Sequence, residues 1–362
     1  MIKKVFNIWE KVKARTMEAR ELPYEIEVIA ENLNVPWAIA LSDEGTIYVT
    51  ERTGSIRMIT DGRLHPEPLF QFNEPFISQG EGGLMGIALD PNFLENRYIY
   101  VMHSYVEGNQ IYNRVVRLVE KDGRASIDRV LLDKIPGGRI HNGGRLKIGP
   151  DQKLYITTGD AGNPELAQDP TSIAGKILRI ELDGSIPIDN PIANSPVYSL
   201  GHRNPQGIAW NSRNVMYAAE HGATAHDEIN IIHPGANYGW PLVEGEETST
   251  QVVIQKPLLH SGEETWAPSG IAFVNQGPWK GRLLVATLRG ERLLVLTLNT
   301  SGTEVNKLEA QLTGEYGRLR EVVQDKDGSI YLVTNNTDGR GRVHTGDDKM
   351  IRVIPRWQLT TL

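Results

Sequence analysis

The chain has 362 residues, a formal net charge of −7, 36 glycines, 20 prolines and no cysteine. The absence of cysteine excludes disulfide bonds and thiolate chemistry. An acidic charge without a basic block argues against nucleic acid or an anionic membrane as the main partner. No apolar run approaches the roughly 20 residues that a membrane-spanning helix needs, so we expect no transmembrane segment.

The first 23 residues differ from the rest of the chain. A basic start is followed by an apolar stretch that Asn7 and Lys11 interrupt, whereas a secretory signal needs a continuous apolar core of roughly 7 to 15 residues. We therefore see no signal peptide and predict a short amphipathic helical extension in residues 1–23. Its apolar face comprises Val5, Ile8, Trp9 and Val12. Packing on the body of the protein is favoured, and a membrane-surface anchor or a remnant of processing is the alternative.

From Tyr24 onward one pattern recurs six times: a short apolar run, a polar turn and a second strand-like run. The apolar runs are centred on Ile39, Ile87, Ile148, Ile208, Ile271 and Val323. A spacing of roughly 50 to 60 residues is typical of propellers and repeat arrays. We therefore predict an all-β fold, a six-bladed β-propeller over residues 24–362, whose loops converge on a central pocket.

The two ends of this region are predicted to meet. Residues 25–30 alternate between polar and apolar, as in a half-buried strand, and precede the first repeat. Residues 349–354 form the last apolar stretch and follow the sixth repeat. Because a ring avoids exposed strand edges by closing on itself, we predict that these two segments pair within one blade.

Several loops beside the first strands hold more glycine and polar residues than a turn requires. They span residues 80–83, 139–145, 201–207 and 220–228. Side chains two residues apart on a strand share a face, so Arg318 and Arg320 are predicted to form a two-pronged positive clamp. Arg203 and Arg289 would extend it. Such a convergence in an acidic protein indicates an anionic ligand with carboxylates or phosphates.

His141 is the best candidate for a general base, because imidazole titrates near neutrality. A histidine in a glycine-rich loop is more often a hydrogen-bonding loop residue, and that alternative stays open. The remaining histidines form no zinc-binding pattern, so we expect no zinc site. The pair Asp227 and Glu228 suits a hard cation such as calcium, although most such acid pairs are solvated loop charges.

Together these loops resemble those of the soluble PQQ-dependent sugar dehydrogenases, where PQQ is pyrroloquinoline quinone. The chain looks most like the shorter aldose sugar dehydrogenase branch, and the resemblance runs from about residue 33 to residue 354. Its most specific parts are residues 80–86, 141–146, 201–207, 227–230 and 235–241. The family fold is a six-bladed propeller, which agrees with the repeats.

The resemblance implies oxidation of aldose sugars at C1 to the lactone. His141 lies where the family has its general base, which takes the proton of the anomeric hydroxyl while hydride passes from C1 to C5 of PQQ. Arg203 and Asn204 match the residues at the reacting carbonyl edge of PQQ, and Gln206 lies in the same loop. The electrons then pass to an external acceptor.

The resemblance also implies which residues hold the carboxylates of PQQ and the sugar. Arg318 and Arg320 match the two arginines that grip the carboxylates. Arg289 falls where the family often has lysine, and arginine can hold a carboxylate there as a planar fork. Glu81 lies near the sugar pocket at a position where we expect an amide, so sugar selectivity is expected to differ. Asp160 is in a loop that could reach the sugar, and no role is assigned to it.

Two calcium ions are implied by the same resemblance. Gly222 and Ala223 match the pair whose main-chain carbonyls hold the calcium ion on PQQ. Glu228 and the carbonyl of Tyr238 resemble ligands of a second, structural calcium ion.

Two other functions remain open. One is a binding propeller that has lost redox chemistry, against which the joint presence of His141, Arg203 and Arg318 argues. The other is a calcium-dependent hydrolase of the lactonase type, which would need acidic or amide side chains around a central metal. The family usually works in the periplasm or outside the cell, but without a visible signal peptide the location of this chain stays open.

Overall fold

The computed structural model describes residues 22–250 and 252–356, which form six antiparallel β-sheets. The six predicted repeat centres fall in the first strand of each sheet. The fold is therefore a six-bladed β-propeller, as predicted. The helix predicted for residues 1–23 lies outside the described residues, apart from residues 22 and 23. Within the described ranges, no helix has the length and apolar character needed to cross a membrane.

The first three blades contain the following strands, in order from the hub outward. Blade 1 contains β2 (Pro36–Leu41), β3 (Ile47–Glu51), β4 (Ser55–Thr60) and β5 (Arg63–Leu64), with β6 (Phe70–Gln71) also paired to β4. Blade 2 contains β7 (Leu84–Leu89), β8 (Tyr98–Glu107), β9 (Gln110–Lys121) and β10 (Arg124–Pro136), with helix α1 (Phe93–Asn96) after β7. Blade 3 contains β11 (Leu146–Ile148), β12 (Leu154–Thr158), β13 (Lys176–Ile180) and β14 (Val197–Leu200), with helix α2 (Glu165–Gln168) after β12.

The other three blades follow the same plan. Blade 4 contains β15 (Pro205–Trp210), β16 (Met216–Glu220), β17 (Glu228–Ile232) and β18 (Leu259–His260). Blade 5 contains β19 (Pro268–Phe273), β20 (Leu283–Thr287), β21 (Arg292–Leu298) and β22 (Val305–Gln311). Blade 6 contains β23 (Leu319–Gln324), β24 (Ile330–Thr334), β25 (Met350–Pro355) and β1 (Tyr24–Ala30).

Blade 6 closes the ring, because both ends of the propeller contribute to it. β1 pairs antiparallel with β25, with Glu25 opposite Ile354 and Val28 opposite Ile351. The predicted pairing of the two end segments is thus confirmed. Closure removes the two free edges that an open array of blades would leave.

The hydrophobic core lies between neighbouring blades. Ile39 and Val49 of blade 1, for example, cluster with Val323 and Val333 of blade 6. Every residue of β20 is buried, because this strand is covered by a blade on each face. Each fully buried leucine or valine side chain of this strand stabilises the fold by roughly 1.5–3 kcal/mol. The packing between blades therefore holds the ring and its central loops in place.

Around the hub the first strands approach one another closely enough to require glycine. A Cβ atom on Gly86 would lie 2.3 Å from the carbonyl oxygen of Gly144 in the next blade. A Cβ atom on Gly207 would lie 2.1 Å from the carbonyl oxygen of Ser269. Both distances are far below van der Waals contact, so any larger residue would push adjacent blades apart.

Candidate active site

The predicted site residues share one end of the ring. Each first strand begins at this end and each second strand ends there, because the two strands are antiparallel neighbours. The loops before the first strands and after the second strands therefore meet around the hub. These loops carry Glu81, His141, Arg203, Asn204, Gly222, Ala223, Arg289 and Arg318. Gln206 and Arg320 follow in the first strands of blades 4 and 6.

His141 forms a hydrogen-bonded pair with Asp160. Nδ1 of His141 lies 2.7 Å from Oδ1 of Asp160, whose side chain is fully buried. Oδ2 of Asp160 accepts a hydrogen bond from Nε1 of Trp240 at 2.8 Å. Burial acts to raise the pKa of Asp160, but the hydrogen bonds from His141, Gly162 and Trp240 outweigh it and the pKa is lowered. An ionised Asp160 thus orients the imidazole, and Nε2 of His141 forms no hydrogen bond with any described residue.

The main chain of His141 is held in the left-handed region, with a φ of 55°. Its N–H donates to Oε2 of Glu81 at 2.9 Å. Its carbonyl oxygen approaches Gly159 so closely that a Cβ atom there would lie 1.9 Å from it. Non-glycine residues adopt this conformation at a cost, so contacts with neighbouring loops must hold it. The position of His141 therefore depends on Glu81 and Gly159.

Glu81 joins His141 to the long loop of blade 6. Oε1 of Glu81 accepts a hydrogen bond from Nη1 of Arg340 at 2.8 Å, while Oε2 bonds the His141 main chain. Burial acts to raise the pKa of Glu81, but the hydrogen bond from the main chain of His141 and the positive charge of Arg340 help to lower it on balance. Glu81 is thus an ionised side chain with both oxygens engaged, and its contact with a sugar stays a prediction.

Arg203 and Asn204 lie beside the histidine pair. The carbonyl oxygen of Arg203 accepts a hydrogen bond from the N–H of Asp160 at 2.9 Å, and Oδ1 of Asn204 accepts one from the N–H of Gly143 at 3.0 Å. The guanidinium carbon of Arg203 lies 5.3 Å from the centre of the Trp240 ring, within the range of a cation–π contact. Nε of Arg203 and Nδ2 of Asn204 are buried and have no hydrogen-bond partner among the described residues.

Arg320 is buried among neutral amides. Its Nη1 donates to Oε1 of Gln206 at 2.6 Å, and its Nη2 donates to Oδ1 of Asn335 at 3.0 Å. Burial lowers the pKa of Arg320 to about 9, because the attraction of Asp338 does not compensate for lost hydration and for the repulsion from Arg318 and other arginines. This position is strongly electropositive, and an anion bound nearby would stabilise the charge.

Arg318 has a different partner from Arg320. Nη2 of Arg318 lies 2.8 Å from Oδ2 of Asp338, and both side chains are buried. The charge of Arg318 nevertheless acts on Arg320, which places the two guanidinium groups within electrostatic reach of each other. The structure thus brings the two predicted arginines together, with one neutralised by a carboxylate and the other not.

Arg289 stands apart from the buried arginines. It follows β20 at the same end of the ring, and its main-chain N–H donates to the carbonyl oxygen of Trp266 at 3.1 Å. Its side chain is exposed and forms no hydrogen bond with another described residue. A ligand contact for Arg289 therefore stays a prediction.

His221 lies among these charged groups, although sequence analysis gave it no role. Burial is the main cause that lowers its pKa, and the positive charges of Arg320 and Arg203 add to this effect. The negative charges of Asp227 and Glu81 act in the opposite direction. Its Nε2 is buried without a partner among the described residues. His221 therefore lies within electrostatic reach of Arg203, Arg320 and Glu81.

Comparisons with known proteins agree with this geometry. A family model described as glucose/sorbosone dehydrogenase matches residues 33–345. The chain belongs to the glucose/sorbosone dehydrogenase family. The aldose sugar dehydrogenase YliI of Escherichia coli K12 is 30% identical over 357 residues, which cover 91% of this chain and 93% of the relative. The family and the enzyme class predicted from the sequence, an oxidoreductase, are thus confirmed.

Two solved structures are similar to this glucose/sorbosone dehydrogenase family member. The PQQ-bound aldose sugar dehydrogenase of Streptomyces coelicolor is 37% identical, with a TM-score of 0.83 and coverage of 91% of this chain and 98% of that one. A protein of Thermus thermophilus described as a putative oxidoreductase (glucose dehydrogenase) is 41% identical, with a TM-score of 0.84 and coverage of 91% and 100%. The fold of the chain is therefore the one seen in these two solved structures.

The unpartnered buried donors fit an anionic ligand with many acceptor oxygens. Arg52, Arg203, Asn204 and His221 each have a buried side-chain nitrogen without a partner among the described residues. A buried polar group left unsatisfied costs about 1–3 kcal/mol. A ligand that supplied carboxylate or carbonyl oxygens would remove this cost. The observed donor set of this family member is therefore chemically suited to such a ligand.

The loop that contains Gly222 and Ala223 offers free main-chain oxygens. The carbonyl groups of these two residues accept no hydrogen bond from another described residue. A Cβ atom on Gly222 would lie 1.8 Å from the carbonyl oxygen of Ala225, so the tight loop requires glycine. Within residues 22–250 and 252–356 no group of three or more His, Cys, Asp or Glu could hold a metal ion. A cation here would therefore need main-chain oxygens, which calcium accepts.

Glu228, predicted as a ligand of a second calcium ion, lies within electrostatic reach of another acid, Glu220. Burial and the neighbouring charge of Glu220 raise the pKa of Glu228 to about 8. The oxygens of Glu228 accept hydrogen bonds from the N–H of Gly245 at 2.9 Å and from Nδ2 of Asn230 at 3.0 Å. Burial is the main cause that raises the pKa of the Tyr238 phenol, and the negative charge of Glu220 raises it further. Glu220 is paired with Nδ1 of His202 at 2.8 Å, whereas Glu228 has no cationic partner among the described residues, so a bound cation would stabilise Glu228 as an anion.

Arg52, Asp338 and Arg340 are functional-site residues that were not predicted from the sequence. Burial lowers the pKa of Arg52, while the charges of Asp338 and Arg340 act on it in opposite directions, so the three groups are neighbours. Arg52 follows the second strand of blade 1, and the other two follow the second strand of blade 6. No motif marks these residues. They could have been found only because each lies in a loop that follows the second strand of a blade.

Proposed function

We propose that this protein is a PQQ-dependent aldose dehydrogenase, which oxidises the sugar at C1 to the lactone and passes the electrons to an external acceptor. The observation that carries the proposal is the position of the His141–Asp160 pair beside buried, unpartnered donors at the hub. The likeness to the PQQ-bound aldose sugar dehydrogenase of Streptomyces coelicolor supports the choice of cofactor.

The donors around the hub are suited to PQQ, which carries three carboxylates. Arg203 and Asn204 would hold its reacting edge, with the free Nε and Nδ2 groups available to its oxygens. Arg318 and Arg320 would hold its carboxylates, with Arg289 as a further contact. Gln206 keeps Arg320 in place through its 2.6 Å hydrogen bond. When bound, PQQ supplies the quinone that accepts the hydride from the sugar.

His141 would act as the general base. Because Nδ1 is engaged by ionised Asp160, the proton of the neutral imidazole resides on Nδ1 and Nε2 is a free acceptor. Nε2 takes the proton of the anomeric hydroxyl as the C1–H bond breaks, and the C1–O bond becomes the carbonyl of the lactone. Asp160 stabilises the imidazolium that results, as in other histidine–carboxylate pairs.

Arg203 would contribute electrostatic stabilisation. Its main chain is held by Glu220 and Asp160, and its guanidinium packs near the ring of Trp240. A preorganised positive charge stabilises negative charge that develops during the reaction without reorganisation of solvent. This role requires the guanidinium to stay in place when the sugar binds.

Two calcium ions are part of the proposal. The free carbonyls of Gly222 and Ala223 would hold one ion next to the cofactor, where it would add positive charge to the site. Glu228 and the carbonyl of Tyr238 would hold a second ion that stabilises blade 4. Calcium prefers such a mixture of carboxylate and main-chain oxygens.

One experiment distinguishes this proposal from its rivals. Metal-free protein is supplied with PQQ and Ca²⁺, then with an aldose and an artificial electron-acceptor dye. Reduction of the dye, dependent on PQQ, supports the dehydrogenase. Binding of a sugar without dye reduction would indicate a binding propeller, and opening of a lactone without dye reduction would indicate a hydrolase. Either of these two outcomes would overturn the proposal.

A further inference from the structure

A buried ion pair crosses the hub beneath the candidate site. Arg145 directly precedes β11 in blade 3, and Glu321 lies in β23 of blade 6. Nη1 of Arg145 donates a hydrogen bond to Oε2 of Glu321, and each side chain is only 1% exposed. Blades 3 and 6 are opposite each other in a ring of six. The pair therefore bridges the ring across its axis.

Arg145 also contacts two other blades. Its Nε donates to the main-chain oxygen of Gln206 in blade 4 at 2.8 Å. Its guanidinium carbon lies 4.3 Å from the centre of the Trp37 ring in blade 1. The carboxylate of Glu321 packs so tightly on blade 5 that a Cβ atom on Gly270 would lie 2.1 Å from Oε1. This arrangement restricts the guanidinium of Arg145 to a single position.

Two of the residues that contact Arg145, Gln206 and Trp37, also contact Arg320. Gln206 bonds Arg145 through its main-chain oxygen and Arg320 through its side-chain oxygen, at 2.8 and 2.6 Å. The guanidinium carbon of Arg320 lies 5.5 Å from the same Trp37 ring that Arg145 approaches. Two arginines from opposite blades thus share one glutamine and one tryptophan. A shift of Arg145 would be transmitted to Arg320 through both.

Stability alone does not account for this ion pair. A buried ion pair loses hydration, and replacement by apolar residues of similar volume is often neutral or stabilising. Nη2 of Arg145 adds to the cost, because it is buried without a partner among the described residues. Buried ionic groups can instead enforce one arrangement of their neighbours. The neighbours in this case are Gln206 and Arg320.

We infer that Arg145 is a positioning residue that sets the affinity of the site for PQQ by fixing Gln206 and Arg320 from inside the hub. This inference rests on the proposed function, and within it Arg145 touches neither cofactor nor sugar. Because Arg320 would hold ground-state carboxylates, loss of Arg145 weakens cofactor binding and leaves turnover of the loaded enzyme nearly unchanged.

The test is a titration of metal-free protein with PQQ in the presence of Ca²⁺, followed by the quenching of tryptophan fluorescence. Arg145→Met alone leaves Glu321 buried without its ion-pair partner, so the variant to use is Arg145→Met with Glu321→Leu, which removes both charges of the pair. We expect its Kd for PQQ to rise about tenfold or more, with kcat at saturating PQQ within about threefold of wild type. Glu321→Gln keeps an acceptor for Arg145, so its Kd should stay near that of wild type.

A matched control lies in blade 2, away from the hub. Arg117 and Asp128 form an ion pair at 2.6 Å on neighbouring strands. The variant Arg117→Met with Asp128→Leu should change the Tm but not the Kd for PQQ. If the hub double variant fails to fold, Arg145→Lys replaces it, because lysine keeps the charge but has no separate donor at the position from which Nε of Arg145 bonds Gln206. Its Kd should also rise.

The titration distinguishes a failure of this inference from a failure of the proposed function. Wild-type protein that does not bind PQQ would refute the proposed function itself. Wild-type protein that binds PQQ, with a folded hub variant that binds it equally well, would refute only the role of Arg145. A variant whose kcat falls at saturating PQQ with no change in Kd would also overturn the inference, because it would place Arg145 in the chemical step.

Discussion

Oδ1 of Asp160 lies 2.7 Å from Nδ1 of His141, and the Asp160 side chain is fully buried at the hub. The two residues are 19 positions apart and follow different strands of the propeller. Because the carboxylate is also bonded by Trp240, it cannot turn away from the imidazole. This relationship gives the imidazole a defined orientation and a free Nε2.

The variants Asp160→Asn and His141→Ala should both lose turnover with PQQ binding largely retained. His141→Ala removes the base, and we expect kcat to fall by about 10²- to 10⁴-fold. Asp160→Asn favours the wrong tautomer of His141, so a loss of similar order is expected. Steady-state dye reduction at saturating PQQ measures the effect. Near-normal kcat in His141→Ala would remove His141 from the mechanism.

Glu81 should affect turnover because its side chain holds the main-chain N–H of His141. Glu81→Leu leaves the N–H of His141 without its acceptor, which costs about 1–3 kcal/mol and should lower kcat by about tenfold. Glu81→Gln keeps an acceptor oxygen, so we expect it to lie much closer to wild type. Arg340→Gln is the control for the ion pair alone, since it leaves the bond from Glu81 to His141 intact. Equal kcat values for the Leu and Gln variants would contradict this role.

Two arginines of the proposed cofactor site should differ sharply in their structural importance. Arg289 is exposed, so Arg289→Ala should change the free energy of unfolding by less than about 0.5 kcal/mol while it weakens PQQ binding. Arg318→Met leaves Asp338 buried without its cation and should cost about 3–5 kcal/mol. Urea unfolding of the metal-free proteins, with PQQ titrations beside it, separates the two effects. Unchanged PQQ affinity in Arg289→Ala would show that Arg289 is not a ligand.

Calcium should stabilise the protein through Glu228. An ion that binds only the folded state adds about 2.7 kcal/mol at a concentration 100-fold above its Kd. Glu228→Gln should lose much of this gain, whereas Glu246→Gln, which changes a more exposed acid in the following loop, should keep it. The measurement is the difference in Tm between EDTA and Ca²⁺. A Ca²⁺-dependent shift that is identical in all three proteins would place the structural ion elsewhere.

The protein should lose stability in acid through His103. The ring is buried, with Nδ1 bonded to the carbonyl oxygen of Ser104 and Nε2 accepting from Nε of Arg114 at 3.0 Å. Burial lowers its pKa from 6.5 to about 4, so the unfolded chain binds more protons between these values. Stability is therefore fully present above pH 6.5 and decreases as the pH falls towards 4, by about 3 kcal/mol in total.

The test of the His103 prediction is urea unfolding at about pH 7 and about pH 4.5, on either side of most of this titration. His103→Gln retains an acceptor for Arg114 but does not titrate, so the difference between the two pH values should shrink in this variant. If wild type and variant lose the same free energy, the acid sensitivity arises from other groups.

Much of the fold could be predicted because each repeat carries the same physical requirement. A run such as residues 283–286 is apolar on both faces, and only a strand covered by blades on both sides satisfies it. The end segments were assigned to one blade because a ring without closure exposes edges. Six such units, with turn residues between them, leave a closed propeller as the consistent solution.

The candidate site was predicted only in part. His141 and Arg203 stand in motifs that mark them, and Arg320 is marked by its two-residue spacing from Arg318, but their partners carry no such mark. Asp160 had no assigned role, and Arg340 lies 259 positions from Glu81. Arg145 was part of a motif, yet its bond to Glu321 spans 176 positions. Contacts of this range arise only when the blades close into a ring.

The sequence by itself determined the number of blades, the strands that form them and the types of functional group at the hub, because periodicity and motifs are local properties. The tertiary structure decided which charges pair, which donors stay unpartnered and how His141 is oriented, because these depend on loops from separate blades that meet only around the axis of the closed ring.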